Sequence, residues 1–273
     1  MKKAARRVVL FLFGIVFIVN CAVLVRQWHH YEQGRDLYEN AAELVDMPDL
    51  TNVEPVPLAP LPPEVSSGNQ PALEPAEVPA TPVDPYAEVL NEIDIAALQE
   101  VNEDVLGWIV IPDTDLSYPL LQGEDNDYYL NYTWQKSKNA VGSIFLDYRN
   151  SSDLSDFNSI VYGHRMRNQS MFGQLHKYQD EAYLKEHPVI YIKTDSGVYT
   201  YEIFSVYVAD SMNTYQLDFA DDSDKAQFID YVASRTWIDT GVVPDVTDRI
   251  ITLSTCTGNG HDTRWVIHAV LTN

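Results

Sequence analysis

The thiol of Cys256 is the first candidate for nucleophilic chemistry in this sequence, because a thiolate is a strong nucleophile. The only other cysteine, Cys21, lies 235 residues earlier in an apolar run, so no disulfide is expected. Cys256 follows a β-rich run at 250–253 and precedes a glycine-containing loop at 258–262. The thiol is therefore predicted near a strand end, where a side chain is accessible for chemistry.

A nucleophilic cysteine needs a partner that moves protons, and histidine commonly serves. Of the seven histidines, His164 follows the run 159–163 and is also predicted at a strand end. Arg264 opens the strand after the loop, where antiparallel pairing would set its guanidinium beside Cys256 and favour a thiolate or an oxyanion. The rival interpretations are an inert buried thiol and a zinc site built from Cys256, His261 and another histidine.

Short β-rich runs separated by turn residues predict a mainly β fold in the second part of the chain. A helix is predicted before them at Tyr86–Asn102, with helical interruptions at Met171–Tyr178 and Lys225–Ser234. Many short strands and few long helices favour a closed barrel or a sandwich decorated with helices. The predicted strands are Trp108–Ile111, Ser143–Leu146, Ser159–Tyr162, Val189–Ile192, Tyr199–Val208, Ile250–Leu253 and Trp265–Leu271.

The first 25 residues predict a membrane anchor. Four of the first seven residues are basic, and residues 8–25 are apolar apart from Asn20. A helix of that run is roughly 27 Å long, close to the hydrocarbon thickness of a bilayer. Basic residues ahead of the span keep residues 1–7 in the cytoplasm and send the rest of the chain outside. A cleaved signal peptide and a lipid-modified Cys21 are the alternatives, and neither has the expected small residues at its cleavage site.

This topology bears on Cys256, because a lone thiol outside the cytoplasm is prone to oxidation. Such a thiol is either buried and inert or kept for its reactivity. Its predicted place at a strand end, beside the loop and opposite Arg264, favours reactivity.

Residues 26–85 are expected to connect the anchor to the β-rich part through a juxtamembrane helix and an extended linker. Eleven of the fifteen prolines lie between Pro48 and Pro85, and Asp36 to Asp84 contains ten acidic and no basic residues. Such a segment buries too little apolar area to offset its ordering entropy, and proline favours extended polyproline II geometry. The folded unit is expected at 86–273.

The acidic charge balance argues against nucleic-acid binding and predicts an acidic, solvated surface. A net charge of −22 argues against nucleic-acid binding, which needs clustered basic residues. Residues 86–273 carry 12 basic and 29 acidic residues, a net charge of −17, which is typical of a solvated acidic surface. A calcium site at 221–224 lacks the spacing of a known calcium loop. No metal or cofactor is predicted.

Two motifs together resemble the sortase family, and most closely its class B members. They are the string TLSTC at 252–256, with Arg264 following, and the string YGHRM at 162–166. Supporting stretches lie at 107–112, 125–130 and 142–150, so the likeness covers nearly all of 86–273. A membrane anchor followed by a stalk also fits that family.

The resemblance implies an eight-stranded sortase-type β-barrel with an N-terminal helix and a helix inserted late in the barrel. It implies a cysteine transpeptidase that cleaves a C-terminal sorting signal of surface proteins through a thioester and transfers them to an amine of cell-wall peptidoglycan. Matching motif positions assign Cys256 as the nucleophile, His164 as the general acid/base and Arg264 as the oxyanion donor. The expected substrate-binding residues are Ser254, Thr255, Asn126 and Leu130.

Two other functions stay open for such a sequence. One is a pilin-polymerising sortase, in which a lysine amine accepts the acyl group, and the other is a non-catalytic, membrane-tethered binding domain of the same fold. A papain-like protease is disfavoured because those enzymes place the cysteine before the histidine, whereas His164 precedes Cys256.

Overall fold

The computed structural model describes residues 2–50, 53, 84–258 and 263–273, and its centre is a closed barrel of eight strands. The barrel order is β1-β2-β3-β4-β7-β8-β6-β5. The pairs β2/β3 and β4/β7 are parallel and the other six are antiparallel. The strands are β1 Val105–Val110, β2 Ser117–Gln122, β3 Ile144–Leu146, β4 Asn158–Tyr162, β5 Val189–Thr194, β6 Gly197–Ala209, β7 Ile250–Cys256 and β8 Arg264–Leu271.

The expected barrel is thus confirmed, and its interior is filled by branched and aromatic side chains. Buried residues such as Ile109, Leu120 and Ile192 from neighbouring strands form the main core. Seven of the strands coincide with the predicted runs. The eighth, β2, was not predicted because Pro119 lies in its middle and proline has no amide to donate to a ladder.

The helix predicted at Tyr86–Asn102 is divided into two short helices, α2 Pro85–Leu90 and α3 Ala96–Gln99. The Asp84 carboxylate caps the start of α2, and Asp94 accepts a hydrogen bond from the amide of Ala96 at the start of α3. The interruption lets Ile93 and Ile95, which a continuous helix would not bury together, both enter the main core.

Further helices lie in the connections between strands. A 3₁₀ helix at Phe172–Gln179 and α4 Glu181–Glu186 join β4 to β5. A 3₁₀ helix at Met212–Tyr215 and α5 Asp222–Ala233 join β6 to β7, which is the late insertion that the sequence predicts. Asp221 caps α5 by accepting from the amides of Ser223 and Asp224, so helix capping accounts for this acidic residue.

The α5 helix covers an outer face of the barrel and creates a second core. Phe228 and Val232 of α5 pack there against Tyr207 of β6 and Val266 of β8. Cys256 shares a face of β7 with Thr252 and Ser254, because side chains alternate along a strand. The end of β7 that carries the thiol therefore lies at the margin of this second core.

The longest helix is α1, Lys2–Leu44, which passes without a break through the predicted anchor and juxtamembrane segment. Its described part from Leu10 is long and apolar enough to cross a membrane, a test that a signal sequence also passes. Most of the linker predicted within 26–85, at 51–52 and 54–83, lies outside the described residues.

Candidate active site

The pairing of β7 with β8 sets Cys256 beside Arg264. The two residues are the last pair of this antiparallel ladder, next to the connection between the strands. Directly opposed residues of an antiparallel pair have their Cβ atoms about 5 Å apart on one face of the sheet. Cys256 is a free, half-buried thiol. The guanidinium of its strand partner Arg264 donates through Nη1 to the carbonyl of Thr263 at 3.0 Å.

The pairing of β4 with β7 brings His164 to the same end of the barrel. Tyr162 is aligned with Ser254 in this parallel ladder, and the amide of Gly163 donates to the Ser254 carbonyl at 3.2 Å. His164 lies two residues beyond Tyr162, as Cys256 lies two residues beyond Ser254. His164 therefore follows the end of β4 at the same end of the barrel as Cys256.

One nitrogen of the His164 ring is held by the backbone. Its Nε2 lies 2.7 Å from the carbonyl oxygen of Leu130. A carbonyl only accepts, so Nε2 carries the proton and Nδ1 is the nitrogen that can take up a proton. The carbonyl of His164 accepts from the amide of Phe172 at 3.0 Å, which fixes the backbone from which the ring projects.

Two tyrosines, Tyr162 and Tyr215, border the same face, and the sequence motifs do not identify Tyr215. Its hydroxyl is 2.8 Å from Ser254 Oγ, and its ring centroid is 6.3 Å from that of Tyr162. Burial raises the pKa of Tyr215, while the Ser254 hydrogen bond and the charge of Arg264 oppose that rise. Tyr215 comes from the β6–β7 connection, 41 residues before Cys256, and no local pattern links it to the thiol.

Ser254 and Thr255 occupy opposite faces of β7. Ser254 shares the face of Cys256, and its Oγ contacts the Tyr215 hydroxyl. Thr255 is paired with Trp265 on the other face, and its buried hydroxyl has no partner among the described residues.

Of the other two expected substrate-binding residues, Leu130 contacts His164 and Asn126 contacts the loop at 147–148. The Asn126 amide donates to Asp147 at 2.9 Å and accepts from the amide of Tyr148 at 3.1 Å, so it also braces the surrounding loop. Leu130 contributes the carbonyl that binds His164.

Asp147 connects Asn126 to Tyr162 through its buried carboxylate. Its buried carboxylate accepts from Arg149 at 2.8 Å, from Asn126 and from the Tyr162 hydroxyl at 3.0 Å. Burial alone would raise the pKa of Asp147, but these donors, Arg149 first, hold it below the ordinary value. A buried carboxylate with this many donors fixes the position of Tyr162 beside the thiol face.

The rival zinc interpretation gains no support from the described part of the chain. No group of three or more His, Cys, Asp or Glu side chains suited to a metal ion occurs among those residues. His261, which that interpretation needs, lies outside them.

A closed eight-stranded barrel with a cysteine, a histidine and an arginine at one end is the architecture of a thiol transpeptidase, and known proteins match it. The sequence profile of the sortase domain family matches residues 109–272. Sortase B of Listeria monocytogenes is 38% identical over 191 residues, 69% of this chain and 78% of that protein.

Solved structures agree. Sortase B from Bacillus anthracis aligns with a TM-score of 0.69 and 29% identity, covering 90% of this chain and 99% of that one. The Staphylococcus aureus sortase B–substrate complex aligns with a TM-score of 0.63 and 34% identity, covering 66% and 84%. The chain belongs to the sortase family, and its class B relatives show it to be a cysteine transpeptidase.

Proposed function

We propose that Cys256, His164 and Arg264 carry out the transpeptidation. The observation that carries this assignment is the strand register, which directs all three residues to one end of β4, β7 and β8. The pairing of Cys256 with Arg264 and the strand-end position of His164 support the roles of nucleophile, oxyanion donor and general acid/base.

The proposed reaction has two acyl-transfer steps. The Cys256 thiolate attacks the scissile carbonyl, the C–S bond forms, and the oxygen becomes an oxyanion that the Arg264 guanidinium stabilises. The C–N bond then breaks as the His164 imidazolium gives its Nδ1 proton to the leaving amine and becomes neutral. An incoming amine attacks the thioester and loses a proton to His164, after which the C–S bond breaks and the thiolate is restored.

We further propose the substrates of these two steps. The acyl donor is a C-terminal sorting signal of a surface protein, which makes the first step an endopeptidase cleavage. Ser254, Asn126, Leu130 and Thr255 are proposed to line the donor site, with Ser254 on the face of the thiol. The acceptor is an amine of cell-wall peptidoglycan.

The domain organisation is proposed to serve this reaction outside the cytoplasm. Residues 1–7 form a cytoplasmic tail, 8–25 a single membrane span, 26–85 the juxtamembrane helix and linker, and 86–273 the catalytic domain. The net charge of −17 on 86–273 keeps this domain away from an anionic lipid surface.

Substitution of the two cysteines in the purified full chain tests the assignment. Cys256→Ala is expected to stay folded and to lose both cleavage of sorting-signal peptides and transfer to hydroxylamine. Cys21→Ala is the matched control and is expected to keep both activities. Turnover by Cys256→Ala rejects the role of Cys256 as the nucleophile, and normal turnover by His164→Ala rejects the role of His164 as the general acid/base.

A competition experiment identifies the acceptor amine. Peptidoglycan peptides and pilin lysine peptides are supplied together, and the product shows which amine is acylated.

A further inference from the structure

The C-terminal end of α1, together with the turn that follows it, packs against the barrel domain. Tyr38, Ala41 and Val45 are buried, and the Tyr38 ring meets Tyr118 of β2 edge to face at 5.2 Å. The indole of Trp134 donates to the backbone carbonyl of Leu37 at 2.9 Å. The helix that begins in the predicted membrane span therefore ends in direct contact with the segment that precedes β3.

The Tyr38 hydroxyl makes a buried polar contact between this helix and the barrel domain. Tyr38 donates to the carbonyl of Gly142 at 2.5 Å and lies 3.2 Å from Ser143 Oγ. Ser143 in turn donates through its amide to the Tyr129 carbonyl at 2.9 Å. Tyr38 thus holds the turn that enters β3 against the short helix Tyr128–Leu130.

The turn that contains Gly142 packs closely against the His164 ring. Gly142 has a φ of +59°, and a Cβ there would lie 2.9 Å from the Leu130 carbonyl oxygen and 3.0 Å from His164 Cδ2. Only glycine fits such a conformation and such a close approach. The same Leu130 carbonyl accepts from His164 Nε2 at 2.7 Å. The turn therefore touches both the imidazole ring and the group that orients it.

We propose that Tyr38 is a positioning residue for His164, so that the membrane-anchored helix sets the orientation of the general acid/base. This inference rests on the proposed role of His164. The contact series runs from the Tyr38 hydroxyl to Gly142, and from there to the Leu130 carbonyl and the imidazole. Loss of the hydroxyl frees the turn to move, and a small misplacement of a proton-transfer group slows the chemical step more than it weakens substrate binding.

The test compares two tyrosines of α1 in the detergent-solubilised full chain. Tyr38→Phe removes the hydroxyl and keeps the ring, and it is expected to lower kcat by on the order of tenfold with KM within about twofold. Tyr31→Phe is the matched control, since the Tyr31 hydroxyl makes no hydrogen bond to another described residue, and its kinetics are expected to be unchanged.

The imidazole ¹⁵N resonances of His164, assigned by their absence in His164→Gln, give a readout that general destabilisation does not move. They are expected to shift in Tyr38→Phe and not in Tyr31→Phe. Trp134→Phe cuts the separate contact with Leu37 and is expected to produce the same loss of kcat, which keeps the proposal testable if Tyr38→Phe does not fold.

Normal kcat in the folded variants, or a loss of kcat with unmoved His164 resonances, overturns the Tyr38 proposal. His164→Ala separates the positioning role of Tyr38 from the acid/base role of His164. Normal turnover in that variant removes the acid/base assignment itself, whereas an inactive His164→Ala beside a fully active Tyr38→Phe removes only the positioning role.

Discussion

Arg264 shares its end of the β7–β8 ladder with Cys256, so the shape of its side chain acts directly on the space around the thiol. A guanidinium offers a planar fork of donors, whereas an ammonium is a compact point charge. The proposed oxyanion forms within reach of that fork. If Arg264 has the proposed role, the charge of residue 264 alone is not expected to suffice, because the geometry of its donors would also stabilise the transition state.

We expect Arg264→Lys to lower kcat by about 100- to 1000-fold, the usual effect of removing one oxyanion donor. Steady-state cleavage of a sorting-signal peptide measures the loss. Arg249→Lys is the matched control at the opposite end of the same hairpin, where Arg249 donates to the carbonyl of Leu154, and near-normal kinetics are expected. Wild-type kcat in Arg264→Lys contradicts the role of the fork.

The sequence predicts the residues of this site that lie in motifs and misses one that does not. Cys256, His164 and Arg264 lie at the ends of predicted β-rich runs. Their types and positions therefore predict that the three side chains lie close together. Tyr215 reaches Ser254 only because the β6–β7 connection folds back over the outer face. Folding of that kind depends on long-range packing, which leaves no pattern around residue 215.

At the scale of elements, one buried histidine links three strands of the barrel to the inserted helix α5. His268 of β8 is fully buried, with Nδ1 at 2.9 Å from Thr252 Oγ1 of β7 and Nε2 at 3.1 Å from the Tyr207 hydroxyl of β6. The ring also packs edge to face on Phe228 of α5. Three strands and the inserted helix therefore meet at one imidazole.

This histidine should make the domain sensitive to acid. Burial lowers the pKa of His268 to about 3, whereas an unfolded histidine has a pKa of about 6.5. As the pH falls below 6.5 the unfolded state takes up a proton and the folded state does not. The contribution to stability is therefore complete above about pH 6.5 and is lost progressively toward pH 3, by about 2 kcal/mol between pH 7 and pH 5.

Urea unfolding at pH 7 and pH 5 measures this contribution. We expect His268→Gln to show a smaller difference between the two free energies of unfolding than the wild type does, by about 2 kcal/mol. His176→Gln serves as the control, because His176 lies outside this outer core, and it should keep the wild-type difference. An unchanged difference in His268→Gln contradicts the explanation.

Seven strands and the late helix could be predicted because their apolar periodicity is strong. The sequence does not predict β2, because Pro119 interrupts its strand pattern. It does not predict α4 either, because six residues are too few to show a helical periodicity. The division of the first helix depends on the Asp94 cap and on the burial of Ile93 and Ile95. Those causes are tertiary, so helical spacing alone could not reveal them.

At the scale of the whole molecule, α1 and the acid- and proline-rich segment differ in their relation to the barrel. The end of α1 is packed on the domain through Tyr38 and Trp134. The segment 54–83 is predicted from its composition to be an extended spacer. The packing of α1 was not foreseen, because the helical pattern before residue 47 does not show which surface it covers.

We expect deletion of residues 54–83 to leave peptide cleavage by the purified protein within about twofold, because a solvated spacer contributes little to a packed core. Attachment of surface proteins to the wall in cells is expected to change, since the reach from the membrane is altered. Cleavage assays in vitro and wall fractionation in vivo measure the two effects. Loss of cleavage in vitro contradicts the spacer interpretation and assigns the segment to the fold.

Intact-mass analysis of the purified full chain tests acyl transfer through Cys256 most directly. The protein is incubated, without an added amine, with peptides covering the C-terminal sorting segments of surface proteins from the same cell. We predict a covalent adduct equal in mass to the N-terminal cleavage fragment less one water, localised to Cys256 by fragmentation and removed by hydroxylamine. Transfer to hydroxylamine without any adduct on Cys256, or an adduct of the same mass on Cys256→Ala, contradicts the account.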